Sequence, residues 1–424
     1  MEREIQPAGP VQGRFRVPGS KSITNRALLC AALARGRSLL TNASDSDDSS
    51  LMLNGLNLLG VLARRSGDQL IVEGTGGRLY APKFPIPVGN AGTTLRFLMS
   101  AAALSEGRVV FSMSERMAQR PNEDLLDALK ELGVTARAVP DMARIEVEGP
   151  TLRGGGVRLR ADKSSQFLSS LLLAGPYARE DLVIGIEGKV VSASYVKITI
   201  GVMEQFGVAV EGSFASGFLV RAGHHYVPTT YAVEPDASSA SYPLAAAAIA
   251  GGEVLVEGMT LTSLQGDAGF ARILEKMGCE VSESAGGLRL SRTGSLRGVD
   301  VEMEEMPDTV PTLVAVALFA GTPTRIRNVA HLRHKESDRL SGVAAELKKI
   351  GADIDVREDG LVIRPSALRG GHLHTHDDHR LAMSFALVGL RVPGVILDNP
   401  ECVKKSFPEF WGEFETLCGR PHDL

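Results

Sequence analysis

The densest run of chemically capable side chains is His331-Leu332-Arg333-His334-Lys335-Glu336-Ser337-Asp338-Arg339. Lys335 and Glu336 adjoin Arg339 with little apolar spacing, an arrangement able to bind an anion and to place a carboxyl group for proton transfer. Taken alone, such a run is a solvated charged loop. Lys21 and Arg26 bracket a helix start in Gly19-Ser20-Lys21-Ser22-Ile23-Thr24-Asn25-Arg26. With Ser20, Ser22 and the free backbone amides they could face a phosphate or carboxylate, although one such motif is ordinarily a solvated helix end. Arg120 precedes Pro121, where the proline is expected to close an extended stretch and start a helix; by itself it reads as a surface arginine. Asp377-Asp378-His379-Arg380 and Lys404-Lys405-Ser406-Phe407-Pro408 complete the set, the second as a loop before the final helix. A metal site from His372, His374, His376 and His379 is conceivable, but the first three alternate as a strand would and no catalytic-metal pattern accompanies them.

These residues sit in a repeat. Polar clusters at Ser20, Asn90, Asp162, Asp236, Asp308 and Asp378, spaced 70 to 74 residues apart, each open into a helix-like run of small apolar residues. Ser, Asn or Asp at a helix start supplies an acceptor for the first free amides, and the positive end of the helix dipole can hold an anion. Several openings also carry Lys or Arg, which capping does not need. Later in each unit a helix ends in a hydrophobic residue plus glycine, at Gly60, Gly133, Gly207, Gly278 and Gly351, and short strands follow, such as Gln69 to Gly74, Ala143 to Gly149 and Gly360 to Arg364. Glycine suits the left-handed position after a helix, and the alternation suits strands with one buried face. Five copies are complete. The sixth stops after the helix around Trp411 to Cys418, so the strand Val11 to Val17 is expected to supply what is missing and close the chain on itself. A unit of this kind cannot bury its faces without its neighbours.

Composition narrows the classes. With 424 residues, 44% hydrophobic and 23% charged, the chain can bury large cores in two or more domains. A net charge of −4 argues against a general nucleic-acid binder. Cys30, Cys279, Cys402 and Cys418 show no metal or disulfide spacing, which fits a reducing cytoplasm. No apolar run approaches a membrane span, and the N-terminus shows neither a signal core nor a basic transit segment, so a cytoplasmic protein is expected.

Gly19 to Arg26, Gly89-Asn90-Ala91-Gly92-Thr93-Thr94-Leu95-Arg96, Arg120-Pro121, Ser164-Ser165-Gln166-Phe167, Lys335 to Arg339, Asp378-His379-Arg380 and Lys405-Ser406-Phe407-Pro408 occur in one order across essentially the whole chain. In this series the sequence resembles the 5-enolpyruvylshikimate-3-phosphate synthase family, and seven motifs in register make the resemblance specific. It implies an α/β fold: a two-domain inside-out α/β barrel of six βαβαββ repeats, three per domain, with helices inside and sheets outside. One domain would cover residues 19–231 and the other residues 1–18 with 232–424, the two crossings acting as a hinge that closes over the substrates and excludes water.

The reaction implied moves the enolpyruvyl group of phosphoenolpyruvate onto the 5-hydroxyl of shikimate 3-phosphate through a tetrahedral intermediate, with no metal or organic cofactor. By resemblance Lys21, Ser22, Arg26, Ser164, Ser165, Gln166, Ser192, Tyr195, Asp308 and Lys335 hold shikimate 3-phosphate. Lys21, Gly92, Arg120, Gln166, Arg339, Arg380 and Lys405 surround phosphoenolpyruvate. Glu336 is expected to deliver and later remove a proton at carbon, and Lys21 to stabilise charge and move a proton. Asp308 would act as base toward the hydroxyl, or only as a helix cap that orients it. His331 stands where members of the family often have an asparagine. Gly92 matches the glycine beside phosphoenolpyruvate, which suggests sensitivity to glyphosate. A monomer follows by analogy, without nucleic-acid or membrane partners.

The related UDP-N-acetylglucosamine enolpyruvyl transferases typically carry a reactive Cys or Asp on a loop near the Arg120 region, whereas no cysteine lies between Cys30 and Cys279 here. A non-catalytic phosphometabolite sensor would be expected to lose Glu336 or Lys21, and both are present.

Overall fold

The small apolar runs after the polar openings fold as helices buried on nearly every side. In the computed structural model, which describes residues 2–419, the chain forms two compact units, Gly19–Val233 and a second made of residues up to Pro18 together with Glu234 onward. Within Gly19–Val233 lie α1 (Lys21–Leu33), α2 (Asp47–Leu58), α3 (Gly92–Ala102), α4 (Glu115–Gln119), α5 (Glu123–Glu131), α6 (Gln166–Ala174) and α7 (Ala193–Gln205). The other unit holds α8 (Ala237–Ala250), α9 (Phe270–Lys276), α10 (Val310–Ala317), α11 (Arg339–Lys349), α12 (His379–Gly389) and α13 (Phe410–Leu417). In α1, α3 and α6, and again in α8, α10 and α12, almost every residue is buried. A helix apolar on all faces must lie in a core, and each trio packs on itself at the centre of its unit. Of the intervening helices, α5 and α11 bury one face only.

The strands form six open sheets, none closing into a barrel among the described residues. Each holds a parallel pair joined by one or two antiparallel strands, and the sheet around Ser105–Met113 adds a second parallel strand, Leu79–Tyr80. In Gly19–Val233 the parallel pairs are Thr230–Ala232 with Arg35–Thr41, Ile86–Gly89 with Ser105–Met113, and Gly155–Arg160 with Leu182–Glu187. In the other unit they are Val11–Phe15 with Gly252–Glu257, Asp300–Glu302 with Thr324–Arg327, and Gly371–Leu373 with Val395–Asp398.

The expected closure of the chain is corrected in detail. Val11–Phe15 opens the sheet that follows α8 rather than completing the last one. The last sheet is completed by Glu2–Ile5, antiparallel to Val395–Asp398. Thr230–Ala232 likewise starts the sheet of the first repeat, which keeps the chain in the first unit through Val233 instead of the expected Tyr231.

The five glycine stops share one geometry. Gly60, Gly133, Gly207, Gly278 and Gly351 have φ between 83° and 109°. In each, the glycine N–H reaches back to a carbonyl three residues earlier, and the next N–H to one five earlier, as in Gly60 to Asn57 and Val61 to Leu56. This is the Schellman pattern. Gly419 repeats the first of these bonds, to Thr416, at the end of α13.

Candidate active site

Helix α1 carries Lys21, Ser22 and Arg26 in its first two turns, opened by Ser20, whose Oγ accepts from the Ile23 N–H at 3.4 Å. Lys21 is buried, and its Nζ lies 3.1 Å from Asp48 Oδ2 in the first turn of α2. Arg26 is deeper still. Its Nε donates to Thr199 Oγ1 at 2.6 Å, Nη1 to the Ser22 carbonyl at 2.8 Å and Nη2 to the Tyr195 carbonyl at 3.1 Å. Burial pulls its pKa down to about 10, so it keeps its charge at neutral pH. Arg26 thereby draws Ser22 and Tyr195 of the expected set into one place.

Arg96 is a second hub, to which the motif reading assigned no role although it stands in the second opening. Its Nη1 donates to Gln166 Oε1 at 2.7 Å and to Ser164 Oγ at 3.3 Å, and Nε donates to Asn122 Oδ1 at 3.1 Å. Asn122 in turn donates to the Arg120 carbonyl at 3.0 Å, and Gln166 Nε2 donates to Thr93 Oγ1 at 3.1 Å. Four expected positions, Ser164, Gln166, Arg120 and the start of α3, are therefore tied together by one buried guanidinium. Gly92 begins α3 against Arg120: a Cβ there would stand 2.9 Å from Arg120 Nη2. Ser165 and Ser192 are buried at the starts of α6 and α7, Ser192 with a left-handed φ of 53°.

In the other unit the charged residues form a continuous network. Arg339 is buried, and it bonds three carboxylates: Nε to Asp378 Oδ2, Nη1 to Asp308 Oδ1 and Nη2 to Glu336 Oε2, each at 2.9 Å. Burial alone would lower the Arg339 pKa, but Asp378, Glu336 and Asp308 outweigh it and hold the pKa above the ordinary arginine value. Asp308 also meets Lys335 Nζ at 3.5 Å and Arg380 Nη2 at 3.3 Å. Ser337 Oγ donates at 2.9 Å to Asp378 Oδ2, the same oxygen that takes the Arg339 Nε bond. Lys405 ends the 3₁₀ turn Pro400–Lys405, which packs against α12, where a plain loop was expected. His331 is buried in the 3₁₀ segment Ala330–His334.

The openings do not all work as caps. Ser20, Asp236 and Asp378 accept from backbone N–H groups of α1, α8 and α12. Ala91 is the cap of α3 in place of Asn90, Asp162 lies before α6 next to Arg160, and Asp308 sits in the turn Pro307–Thr309 with its carboxylate committed to cations. For Asp308, contacts with Lys335, Arg339 and Arg380 go beyond what a cap requires. The stretch before Arg120 is the short helix α4 rather than extended, and α5 begins two residues beyond Pro121. The histidines disperse: His372 faces Glu2 at 3.6 Å, His374 Nδ1 bonds Asp398, and His376 Nε2 meets Glu346 at 3.3 Å. His379 is buried with Nδ1 3.6 Å from Asp378. Among the described residues no group of three or more His, Cys, Asp or Glu is arranged to hold a metal ion.

Asp48, Arg96, Asn122, Asp378 and Tyr242, whose hydroxyl accepts from Arg380 Nη1 at 3.3 Å, are the partners that motif reading did not assign. Asp378 was marked by the sixth opening; for the others the local signals were the acidic run Asp45-Ser46-Asp47-Asp48 and the arginine within the second opening.

Chemically, the two networks offer cations with fixed partners for anionic oxygens, and carboxylates held against arginine. Residues 5–414 match the model of the family described as EPSP synthase (3-phosphoshikimate 1-carboxyvinyltransferase). A 3-phosphoshikimate 1-carboxyvinyltransferase of Methanoculleus marisnigri is 44% identical over 418 residues, covering 98% of each chain. One of Vibrio campbellii is 44% identical over 421 residues, covering 97% of this chain and 98% of its own. Among solved structures, an EPSP synthase of Acinetobacter baumannii superposes with a TM-score of 0.81 at 27% identity over 98% of both chains. The enolpyruvyl transferase NikO of Streptomyces tendae shares the fold, with a TM-score of 0.78 at 18% identity over 98% of this chain and 96% of its own. By this full-length match the chain belongs to the EPSP synthase (3-phosphoshikimate 1-carboxyvinyltransferase) family.

Proposed function

We propose that this protein transfers the enolpyruvyl group of phosphoenolpyruvate to the 5-hydroxyl of shikimate 3-phosphate, releasing phosphate through a tetrahedral intermediate. The observation that carries the reading is the network in which Asp308 is shared by Arg339, Arg380 and Lys335 while Glu336 is held by Arg339. It offers two carboxylates for proton transfer among cations suited to a carboxylate substrate, and arginine grips such a group with parallel bonds.

In this assignment Arg339 and Arg380 take the carboxylate of phosphoenolpyruvate, and Lys21, Gly92, Arg120, Gln166 and Lys405 surround the rest of it. Lys21, Ser22, Arg26, Ser164, Ser165, Gln166, Ser192, Tyr195, Asp308 and Lys335 address shikimate 3-phosphate. All the Arg339 bonds now go to internal carboxylates. A substrate carboxylate must therefore replace one of them, and displacing Asp308 would free it to accept the proton of the 5-hydroxyl. Glu336, entering the step protonated, gives its proton to the methylene carbon as the hydroxyl oxygen attacks C2 and recovers one from the methyl group as phosphate departs, while the hydroxyl proton held by Asp308 leaves with the phosphate. Lys21, held by Asp48, balances the negative charge during that departure.

At the level of the fold the same reading takes each unit as three βαβαββ repeats, an inside-out α/β barrel, with hinges at Pro18–Gly19 and Val233–Glu234. Buried trios of helices and the recurring parallel pairs support it. We place the protein in the cytoplasm as a monomer; among the described residues no helix is long and apolar enough to cross a membrane.

The test is phosphate release on mixing the protein with phosphoenolpyruvate and shikimate 3-phosphate, with UDP-N-acetylglucosamine as the comparison acceptor. Release with the shikimate compound alone is expected. Its absence sinks the reading.

A further inference from the structure

We propose that Tyr242 is a positioning residue for Arg380 and sets the affinity for phosphoenolpyruvate without touching it. The inference rests on the assignment of Arg380 to that substrate. Arg380 is buried, yet it is held far more lightly than Arg339. Its Nη1 donates to the Tyr242 hydroxyl and its Nη2 to Asp308, both at 3.3 Å, and its Nε has no hydrogen-bond partner among the described residues. Asp308 is the carboxylate that must leave its cations when it takes up the substrate hydroxyl. Once it turns away, Tyr242 is the remaining hydrogen bond that fixes the plane of the Arg380 guanidinium.

The hydroxyl is itself fixed. Tyr242 lies on the buried helix α8 and is 1% exposed, and its ring meets Phe410 edge-on at 5.6 Å. Phe410 is locked in turn between Phe407, Trp411 and Phe414. An aromatic side chain with two torsions, both restricted by packing, makes a rigid post. It is also a neutral one. Burial raises the Tyr242 pKa, and Arg380 opposes this without reversing it, so the phenol stays protonated. A neutral acceptor orients Arg380 while leaving its positive charge for the ligand, which a carboxylate in the same place would not do. Asp236, at the start of the same helix, adds a more remote electrostatic pull on Arg380, giving this opening a role beyond capping.

Tyr242→Phe removes the hydroxyl and keeps the ring. Because Arg380 binds the same carboxylate in the ground and transition states, KM for phosphoenolpyruvate should rise about tenfold while kcat stays within about twofold. KM for shikimate 3-phosphate and the melting temperature should stay near those of the unaltered protein. In an Arg380→Lys background the same change should add almost nothing, since the two residues act as one unit.

An unchanged KM for phosphoenolpyruvate in a Tyr242→Phe enzyme that turns over overturns the positioning role alone. Parallel rises in both KM values with a lowered melting temperature overturn it in favour of packing. Full additivity with Arg380→Lys overturns it as well. An unaltered protein that releases no phosphate removes the reaction assigned, and this role with it.

Discussion

Gly92 illustrates how a missing side chain can be as specific as a present one. Any Cβ at this position meets the end of Arg120 at 2.9 to 3.1 Å, and Arg120 is itself buried, so the guanidinium must move by a few tenths of an ångström. Gly92→Ala should therefore raise KM for phosphoenolpyruvate by about tenfold, with kcat affected less. The concentration of glyphosate needed for half inhibition should rise with it, and steady-state assays with and without the herbicide check both. Glu336→Gln probes the chemistry instead. The amide keeps the shape and an acceptor for Arg339 but cannot pass a proton to carbon, so phosphate release should fall by about 10²- to 10⁴-fold. Full turnover in that variant would remove the proton role. The residues carrying these arguments stood out in the sequence because each lies in a short polar motif. Their partners did not: Asp48 is 27 positions from Lys21 and Tyr242 is 138 from Arg380, separations that only the packing of helices resolves.

Between residue and fold lie the helix ends, and these differ in how much the chain alone discloses. The apolar-glycine stops were legible because the Schellman turn is built from consecutive residues and needs glycine's left-handed φ. The polar starts were less so. Ser20, Asp236 and Asp378 cap, whereas Asp308 gives its carboxylate to three cations, and both uses call for the same residue at the same place. Strand partners were the least legible. Glu2–Ile5 and Val11–Phe15 are both short, and only long-range pairing sends one to the last sheet and the other to the sheet after α8. The stops also differ among themselves in a testable way. At Gly60 an added methyl would face only the edge of Tyr80 at 3.2 Å, while at Gly351 it would strike the Ala367 carbonyl oxygen at 2.5 Å. Gly60→Ala should cost about 1–2 kcal/mol, the usual penalty of a left-handed alanine. Gly351→Ala should cost more, because backbone cannot swing aside as a ring can. Melting temperatures of the two variants compared with the parent decide it, and equal losses would remove the steric part of the argument.

At the scale of the whole molecule the N-terminal segment makes the two units unequal as pieces of chain. Gly19–Val233 contains every strand of its own three sheets, including Thr230–Ala232. Residues 234–419 do not: their first and last sheets each lack a strand that lies before Pro18. Ile5, Val11 and Phe15 are buried in that unit's core, and Gly389 has no room for a side chain because Ile5 occupies the space. Three such side chains contribute about 1.5–3 kcal/mol each, before the backbone bonds of two strands are counted, against a typical domain stability of about 5–15 kcal/mol. A fragment of residues 19–233 should consequently melt cooperatively on its own, while residues 234–424 alone should show weak tertiary structure and expose apolar surface to dyes such as ANS. Joining residues 1–18 to the C-terminal fragment in one engineered chain should restore a cooperative transition, followed by near-ultraviolet circular dichroism. Cooperative folding of residues 234–424 without that segment would show that the two borrowed strands are trim rather than core, and the apolar contacts of Ile5, Val11 and Phe15 would then carry far less than their burial implies.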